Sequence, residues 1–453
     1  MRVPAIEREL GIEIFWSKSR GVGGTIKTVS DDFVVEEMLV DGSRADLEPT
    51  KPSEITGEGR YLICQLIKRD RDTLLAVRGI AKQLGISERR VRIAGIKDKK
   101  ALTAQHISIE NMRPEKLTRV RMMGIQVHPL RYSVNMVFPH MSYGNRFHIT
   151  IRDLSHRRPI LQERASNVLN ELRMLGGIPN FFGHQRFGTV RPITHLVGKA
   201  IAQNDLEKAA LIFLAKASLH EHPESYEARQ RLWKTRDYRE ALAYFPKRLL
   251  YERMMLARLA KNPRDYKGAF RRLPLRLRNL LLQAYQSYLF NNFLSQRVLR
   301  RIPLDEPQPG DYVIKIDNHG LPTNSYEIAK AENIRSLSSA VEKTKMSIGI
   351  PLVGSKQSPS GGMQGEIERS ILEREEVSQS NFSVEDMSEL RAAGRVRPAV
   401  TPIIDPEVSS AEKDEINVHK KKLRVAFTLH RGCYATVVLR EFMKSRNPIK
   451  AGF

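Results

Sequence analysis

Cysteine is nearly absent from this chain: there are two, Cys64 and Cys433, in 453 residues. They lie far apart and neither has a CxxC partner, so the sequence supports neither a disulfide framework nor a zinc site. No run of about 18 apolar residues is present that could span a bilayer. The opening stretch, Met1 to Arg20, lacks the apolar core of a signal peptide. Nucleotide fingerprints are missing too. Gly21-Val-Gly-Gly24 precedes its strand instead of following one, which argues against a methyltransferase-type cofactor loop, and there is no Walker motif. There is no internal repeat and no low-complexity tract. Acidic residues are under-represented, with Asp+Glu 51 against Lys+Arg 75, a formal charge of +24. The sequence pI is near 10.0. Such a surplus points to a polyanionic partner. The expectation is a cytoplasmic, monomeric protein that faces RNA or DNA and uses no cofactor, metal or membrane.

The length calls for roughly two or three domains. Residues 21–152 read as mixed α/β. Short β-branched runs, Phe33-Val-Val-Glu-Glu37 and Arg60 to Ile67, precede a helix that Asp72 or Thr73 can cap, with Leu74, Leu75, Val77, Ile80 and Leu84 on one face. Ser87 starts another short helix. Val91 to Ile96, His106 to Ile109, Tyr132 to Phe138 and Phe147 to Ile151 have strand character. From about Pro159 the pattern turns helical and basic, with helical periodicity over Pro159–Leu175, Pro192–Leu214, Tyr238–Ala260 and Leu275–Leu299. Gly310–Asp317 is a strand candidate, Ser355–Gly362 a polar loop, and Pro402 to Glu415 reads as a linker. Strand character returns at Leu423–Leu429. Strands at both ends around a helical middle suggest an α+β domain interrupted by another. The expected division is 1–176 and 405–453 for the interrupted domain, with 177–404 as the insertion.

The most informative stretch is Ala94-Gly-Ile-Lys-Asp-Lys-Lys-Ala-Leu-Thr-Ala-Gln105. An apolar strand runs into Lys97-Asp98-Lys99-Lys100, so one carboxylate sits among three lysines. Nearby positive charge favours the ionised acid, and an ionised carboxylate at a strand end can serve as nucleophile or base. Taken alone, these residues equally describe a solvated turn.

Elsewhere in the chain stand Gly21-Val-Gly-Gly-Thr-Ile-Lys27, Asp32-Phe-Val-Val-Glu-Glu37, Gly144-Asn-Arg-Phe147, Pro179-Asn-Phe-Phe-Gly-His-Gln-Arg-Phe-Gly188 and Arg431-Gly-Cys-Tyr-Ala-Thr-Val-Val-Leu-Arg440. Together with residues 94–105, this collinear set resembles the TruD family of tRNA pseudouridine synthases over most of the chain, with Phe181 in place of the family's usual tyrosine. The resemblance implies a pseudouridine synthase fold interrupted by a helix-rich α+β insertion, a tRNA substrate, and uridine-13 of the D-arm as the target. It places Asp98 at the catalytic aspartate, with Lys27 as its ion-pair partner and Asn145 and Phe147 holding the flipped base. Gln105 and Arg186 are implied near the substrate. Residues 215–275 look more like archaeal or eukaryotic relatives than bacterial ones.

Each of these residues also has an ordinary reading. Lys27 after a glycine turn is a common exposed lysine, and Phe147 alternates with Ile149 and Ile151 as a packing residue would. Asn145 is a standard turn residue. Gln105 is either a solvated strand end or a bond to the Asp98 loop. Arg186 either meets phosphate or anchors a domain junction, at which Phe181, Phe182 and Phe187 pack. His106 and His184 have no partners at metal spacing. The arginines of residues 271–301, led by Arg271, Arg272, Arg276 and Arg278, have the composition of a phosphate-contacting face; they also suit a helix with solvated ends. A non-catalytic RNA-binding or ribosome-associated protein would share the charge, but would have no use for a carboxylate facing phosphates.

Overall fold

Apolar alternation in both halves of the chain pairs into a single sheet. The computed structural model describes residues 2–48 and 55–453. The N-terminal part supplies β1 (Phe33–Leu39), β2 (Tyr61–Arg69), β3 (Val91–Ile93), β4 (Leu102–Glu110), β5 (Ile125–Ser133) and β6 (Ser142–Leu154). The middle supplies β7 (Ile178–Pro179), β8 (Tyr312–Ile316), β9 (Pro322–Ile328), β10 (Met346–Leu352), β11 (Arg395–Pro398) and β12 (Val400–Thr401). The C-terminal part adds β13 (Ile404–Val408), β14 (Glu412–Lys413) and β15 (Lys421–His430). The main sheet has the order β13-β15-β6-β1-β4-β2-β5, with β14 on β15 and β3 on β4. Only the central β1–β4 pairing is parallel. A second sheet, β11-β10-β8-β9, lies in the middle of the chain.

The two chain ends meet along β6 and β15, where Asn145 stands opposite Leu429 and Phe147 opposite Phe427. Gly144 permits that approach: a Cβ there would sit 2.0 Å from the Leu429 carbonyl oxygen. Buried Arg152 ties the same ends together, donating from Nε to Asp32 at 2.7 Å, from Nη1 to Asp414 at 2.8 Å and from Nη2 to Glu415 at 3.0 Å.

Several elements follow local chemistry closely. The helix Thr73–Leu84 is capped by Asp72, which accepts from the amides of Leu74 and Leu75, and Ser87 caps the short turn Glu88–Arg90. Leu275–Leu299 is one continuous helix. Others differ from expectation for identifiable reasons. The run Pro192–Leu214 breaks into Thr194–Ala202 and Leu206–Ala215 because Asn204 takes a positive φ and Asp205 caps the second helix. Pro246 lies in the break that splits Tyr238–Tyr244 from Leu250–Leu259. The expected linker after Pro402 instead contains β13 and β14, which pair along the side of β15 not taken by β6. Strand β3 stops at Ile93, so Ala94 to Lys100 is a loop that needs side chains to fix it.

One apolar core runs from the sheet (Phe147, Ile149, Val425) into the helices (Phe290, Leu294) through Phe182. The N-terminal segment joins it: Asn291 Nδ2 donates to the Leu10 carbonyl at 2.9 Å and Ser295 Oγ to that of Gly11 at 2.7 Å. Among the described residues, no helix is long and apolar enough to cross a membrane.

Candidate active site

The loop Ala94–Lys100 is pinned from three sides. Thr73 Oγ1 accepts from the Lys97 amide at 3.2 Å and donates to the Lys97 carbonyl at 3.3 Å. Gln105, wholly buried, donates from Nε2 to the Gly95 carbonyl at 3.0 Å, so it supports the loop and is not a solvated strand end. Lys68 is 0% exposed, and its ammonium donates to the carbonyls of both Lys97 and Asp98. Burial drives the Lys68 pKa down to about 8, although the Asp98 charge opposes this.

Beneath the loop lies a buried ion pair. Glu37, on β1, is 2.7 Å from Lys97 Nζ. Burial pushes the Glu37 carboxyl up, but Lys97 and His106 outweigh that and leave it below the usual range. Glu37 also accepts the His106 amide at 2.8 Å, and the His106 ring, itself fully buried, lies 3.4 Å away. Lys97 Nζ reaches across to β6 and donates to Asn145 Oδ1 at 2.7 Å. The Asn145 carboxamide is thereby oriented with its oxygen on the lysine. Its NH2 donates to no protein group among the described residues.

Lys27 is 8% exposed and takes a positive φ after the glycine turn. Gly24 lets that turn close against β6, since a Cβ there would lie 2.4 Å from the Arg152 carbonyl oxygen. The expected contact ion pair with Asp98 is not formed. The Lys27 ammonium instead sits 4.3 Å from the centroid of the Phe33 ring. Burial lowers its pKa, and Asp98 acts on it through space in the opposite sense. Phe147, 6% exposed, packs edge-on to Phe33 at 6.2 Å and against Phe427 at 5.5 Å. The packing reading of Phe147 therefore holds, with Phe33 between it and Lys27.

Lys97 and Asn145 open onto a cleft of about 860 Å³ between the two sheets. One wall carries Gly95, Lys97, Tyr143, Asn145, His430 and Arg431; the facing wall carries Thr323, Asn324, Ser347, Arg395 and Arg397. Asp98 adjoins this lining. Among the described residues, the cleft lining contains no Asp or Glu. That is a strong bias in a chain with 51 acids.

The other basic candidates are spread over different places. Arg186 lies against the helix Leu275–Leu299, with Nε on Ser287 Oγ at 3.0 Å and its guanidinium 5.7 Å from the Phe182 ring. Arg278 is buried on the Leu273 carbonyl and Glu389, so it holds the start of its helix. Arg271 also binds Glu389, and the two together pull that carboxyl down to about 2. Only Arg272 and Arg276 of this group are exposed without an acidic partner among the described residues. His184 is buried beside Glu7, and burial drives its pKa to about 3. Among the described residues, no cluster of His, Cys, Asp and Glu could hold a metal.

Sequence patterns passed over Lys68, Thr73, Glu37 and Lys97. Glu37 stood inside a recognised motif without a role, and Lys97 entered only as one of the cations around Asp98. Lys68 reads as one more strand-end lysine until the fold buries it.

The family model described as tRNA pseudouridine synthase D (TruD) matches residues 9–442. A Methanosarcina barkeri protein named "Probable tRNA pseudouridine synthase D" is 37% identical over 445 residues, 98% of each chain. A Methanosarcina acetivorans protein of the same name is 38% identical over 449 residues, again 98% of each. The crystal structure of a Methanosarcina mazei chain assigned to tRNA pseudouridine synthase D superposes with a TM-score of 0.82 at 36% identity, covering 99% of this chain and 100% of that one.

Proposed function

We propose, from the premise that this chain belongs to the tRNA pseudouridine synthase D (TruD) family, that it isomerises uridine-13 in the D-arm of tRNA with Asp98 as the reacting carboxylate. The N1–C1′ bond breaks, the uracil turns, C5 bonds to C1′, the C5 proton leaves and N1 takes one up. Atoms and electrons balance within the substrate, so the reaction consumes no oxidant and no nucleotide.

The observation that carries this reading is that Asp98 directly follows Lys97, which lines a cleft holding Arg395, Arg397 and Arg431 and, among the described residues, no carboxylate. RNA backbone is drawn into such a cleft, next to which the Asp98 carboxylate acts as nucleophile or base. Lys68 fixes the Asp98 backbone, and Lys27 acts on the carboxylate from a short distance without touching it. Because Lys97 occupies Asn145 Oδ1, the free Asn145 NH2 can donate to a uracil carbonyl. Phe147 forms the apolar floor that keeps the detached base from leaving, with Gln105 behind the loop. Flipping delivers the base to this wall. Arg186 against the helix Leu275–Leu299, and Arg272 and Arg276 on the outer face, are placed to meet tRNA phosphates; Arg271 and Arg278 serve their helix start through Glu389.

Incubation with unmodified tRNA followed by pseudouridine mapping tests the proposal. The expected result is conversion at position 13 by the wild-type protein and none by Asp98→Asn, whose near-isosteric amide leaves the fold and tRNA binding intact. Conversion by Asp98→Asn at the wild-type rate would refute the catalytic role. Conversion only at another uridine would refute the target. Tight binding without conversion by the wild type would make the chain a tRNA-binding protein.

A further inference from the structure

Burying a guanidinium is costly unless a carboxylate or another anion accompanies it. Arg397, on β11, is 5% exposed and has no acidic partner among the described residues. Its Nε donates to the Asn180 carbonyl at 3.2 Å, and its Nη2 donates to Asn180 Oδ1 and to the Gly432 carbonyl, the latter at 3.0 Å. The guanidinium plane lies 4.3 Å from the Phe182 ring centroid, which offsets part of the desolvation. Nη1 has no hydrogen-bond partner among the described residues and is not among the fully buried polar atoms left unpaired. It therefore meets the cleft that Arg397 lines.

Two further cations share the neighbourhood. Arg395 stands two residues earlier on the same strand, exposed on the same cleft wall, and Arg186 shares the Phe182 ring. Neither has an acidic partner among the described residues. The three repel one another: burial lowers the pKa of Arg397, Cys433 and Tyr434 oppose this, and Arg395 and Arg186 add to the lowering; Arg395 also adds to the lowering at Arg186. The arrangement is rigid, because Asn180 is itself held by its amide, which donates to the Ala399 carbonyl at 2.8 Å, and by Nδ2, which donates to the Pro398 carbonyl at 3.2 Å. Charge without a counter-ion, on a fixed scaffold and facing a cleft, is the arrangement that binds a phosphate.

We infer that Arg397, with Arg395 and Arg186, forms a clamp for one backbone phosphate of the bound RNA, adjoining the nucleotide whose base enters beside Asn145. The placement follows from connectivity. Gly432, which Arg397 grips, belongs to the turn that continues β15 past Leu429, and Leu429 stands opposite Asn145. The clamp rests on the functional reading above and adds to it a fixed point for the strand on the far wall. Held there, the strand cannot follow the uracil when the glycosidic bond opens, so sugar and detached base stay in register.

The test is a coupling measurement at equilibrium, without turnover. tRNAs are prepared with a single uncharged methylphosphonate at each linkage around position 13. Their affinities are measured for wild type, Arg395→Gln and Arg397→Gln, with a thermal melt for each. In the wild type, one linkage is expected to cost about tenfold or more when neutralised, the scale of a charged hydrogen bond. In either variant that same linkage should cost far less, because the partner is already gone. Arg395 is exposed, so Arg395→Gln carries the test if Arg397→Gln does not fold. Penalties that simply multiply in every folded variant would overturn the clamp, while leaving the Asp98 chemistry standing. Absence of tRNA binding by the wild type would overturn both.

Discussion

Buried cations in this molecule fall into two groups, and the contrast between them separates fold from function. Away from the cleft, each of the principal ones is matched: Arg152 by Asp32, Asp414 and Glu415, Arg297 by Asp311, Arg440 by Glu7 and Glu441, Arg229 by Glu221 and Glu252. Near the Asp98 loop and the Phe182 ring, Lys27, Lys68, Arg186 and Arg397 have no acid in contact among the described residues. Matched pairs hold chain segments together and are expensive to break from one side. Unmatched cations form no internal ion pair, and in the functional reading proposed above they meet an anion that arrives from outside. Lys97 belongs to both groups: it closes the Glu37 pair and also lines the cleft.

The sharpest way to break the contrast is to unbalance the matched group. Arg152→Met leaves Asp32 and Asp414 buried without a cation and should cost about 3–5 kcal/mol of stability. Chemical denaturation would register this as a lower midpoint; an unchanged midpoint would mean the clamp between the chain ends is not structural. Lys97→Met should show a mixed phenotype of smaller size in stability, because Glu37 loses one partner but keeps the His106 amide. Its turnover should fall further than its melting point suggests, since Asn145 also loses its anchor. Single-turnover rates at saturating enzyme, set beside thermal melts, test this; normal turnover would remove Lys97 from the site.

For the unmatched group the signal is pH. Lys68 is depressed to about 8 in the folded chain, below its ordinary value of 10.5. Charged Lys68 therefore costs stability below about pH 8. Between about 8 and 10.5 the unfolded chain holds the proton that the folded chain has released, so this group's contribution to stability rises with pH. Activity should move the opposite way, with kcat/KM, which reports the free enzyme, falling as pH passes about 8 and the Asp98 loop loses its charged donor. A flat profile through that window would contradict the positioning role of Lys68. The smallest effect is expected at the outer face. Arg272→Ala with Arg276→Ala should leave turnover of bound tRNA unchanged and lower the salt slope of binding by roughly 0.7–0.9 per lost phosphate contact. An unchanged slope would take that face out of the tRNA footprint.

The motifs pointed to the neighbourhood of the cleft but not to the contacts within it. Asp98, Asn145 and Phe147 were legible because their neighbours on the chain carry the pattern, and helix Leu275–Leu299 because its periodicity is unbroken. Lys27 was legible as a position, but its contact was not: a positive φ and the Phe33 ring turn its ammonium away from a direct pair with Asp98. The arginines of residues 271–278 show the converse. Their composition suggested one basic face, yet Glu389, more than a hundred residues away, claims two of them. Lys68 and Arg397 carried no sequence signal because what distinguishes them is burial without an acidic partner among the described residues. That property exists only once strands distant in sequence have paired.

The account turns on where the target uridine lies. The most direct measurement uses tRNA with 4-thiouridine at position 13, bound to Asp98→Asn so that no conversion intervenes, irradiated and mapped by mass spectrometry of the cross-linked peptides. Cross-links to the peptides containing Gly95 to Lys97, Tyr143 to Phe147 or His430 to Tyr434 are expected. Cross-links confined to residues 271–301 would place the uridine on the outer face and contradict the account.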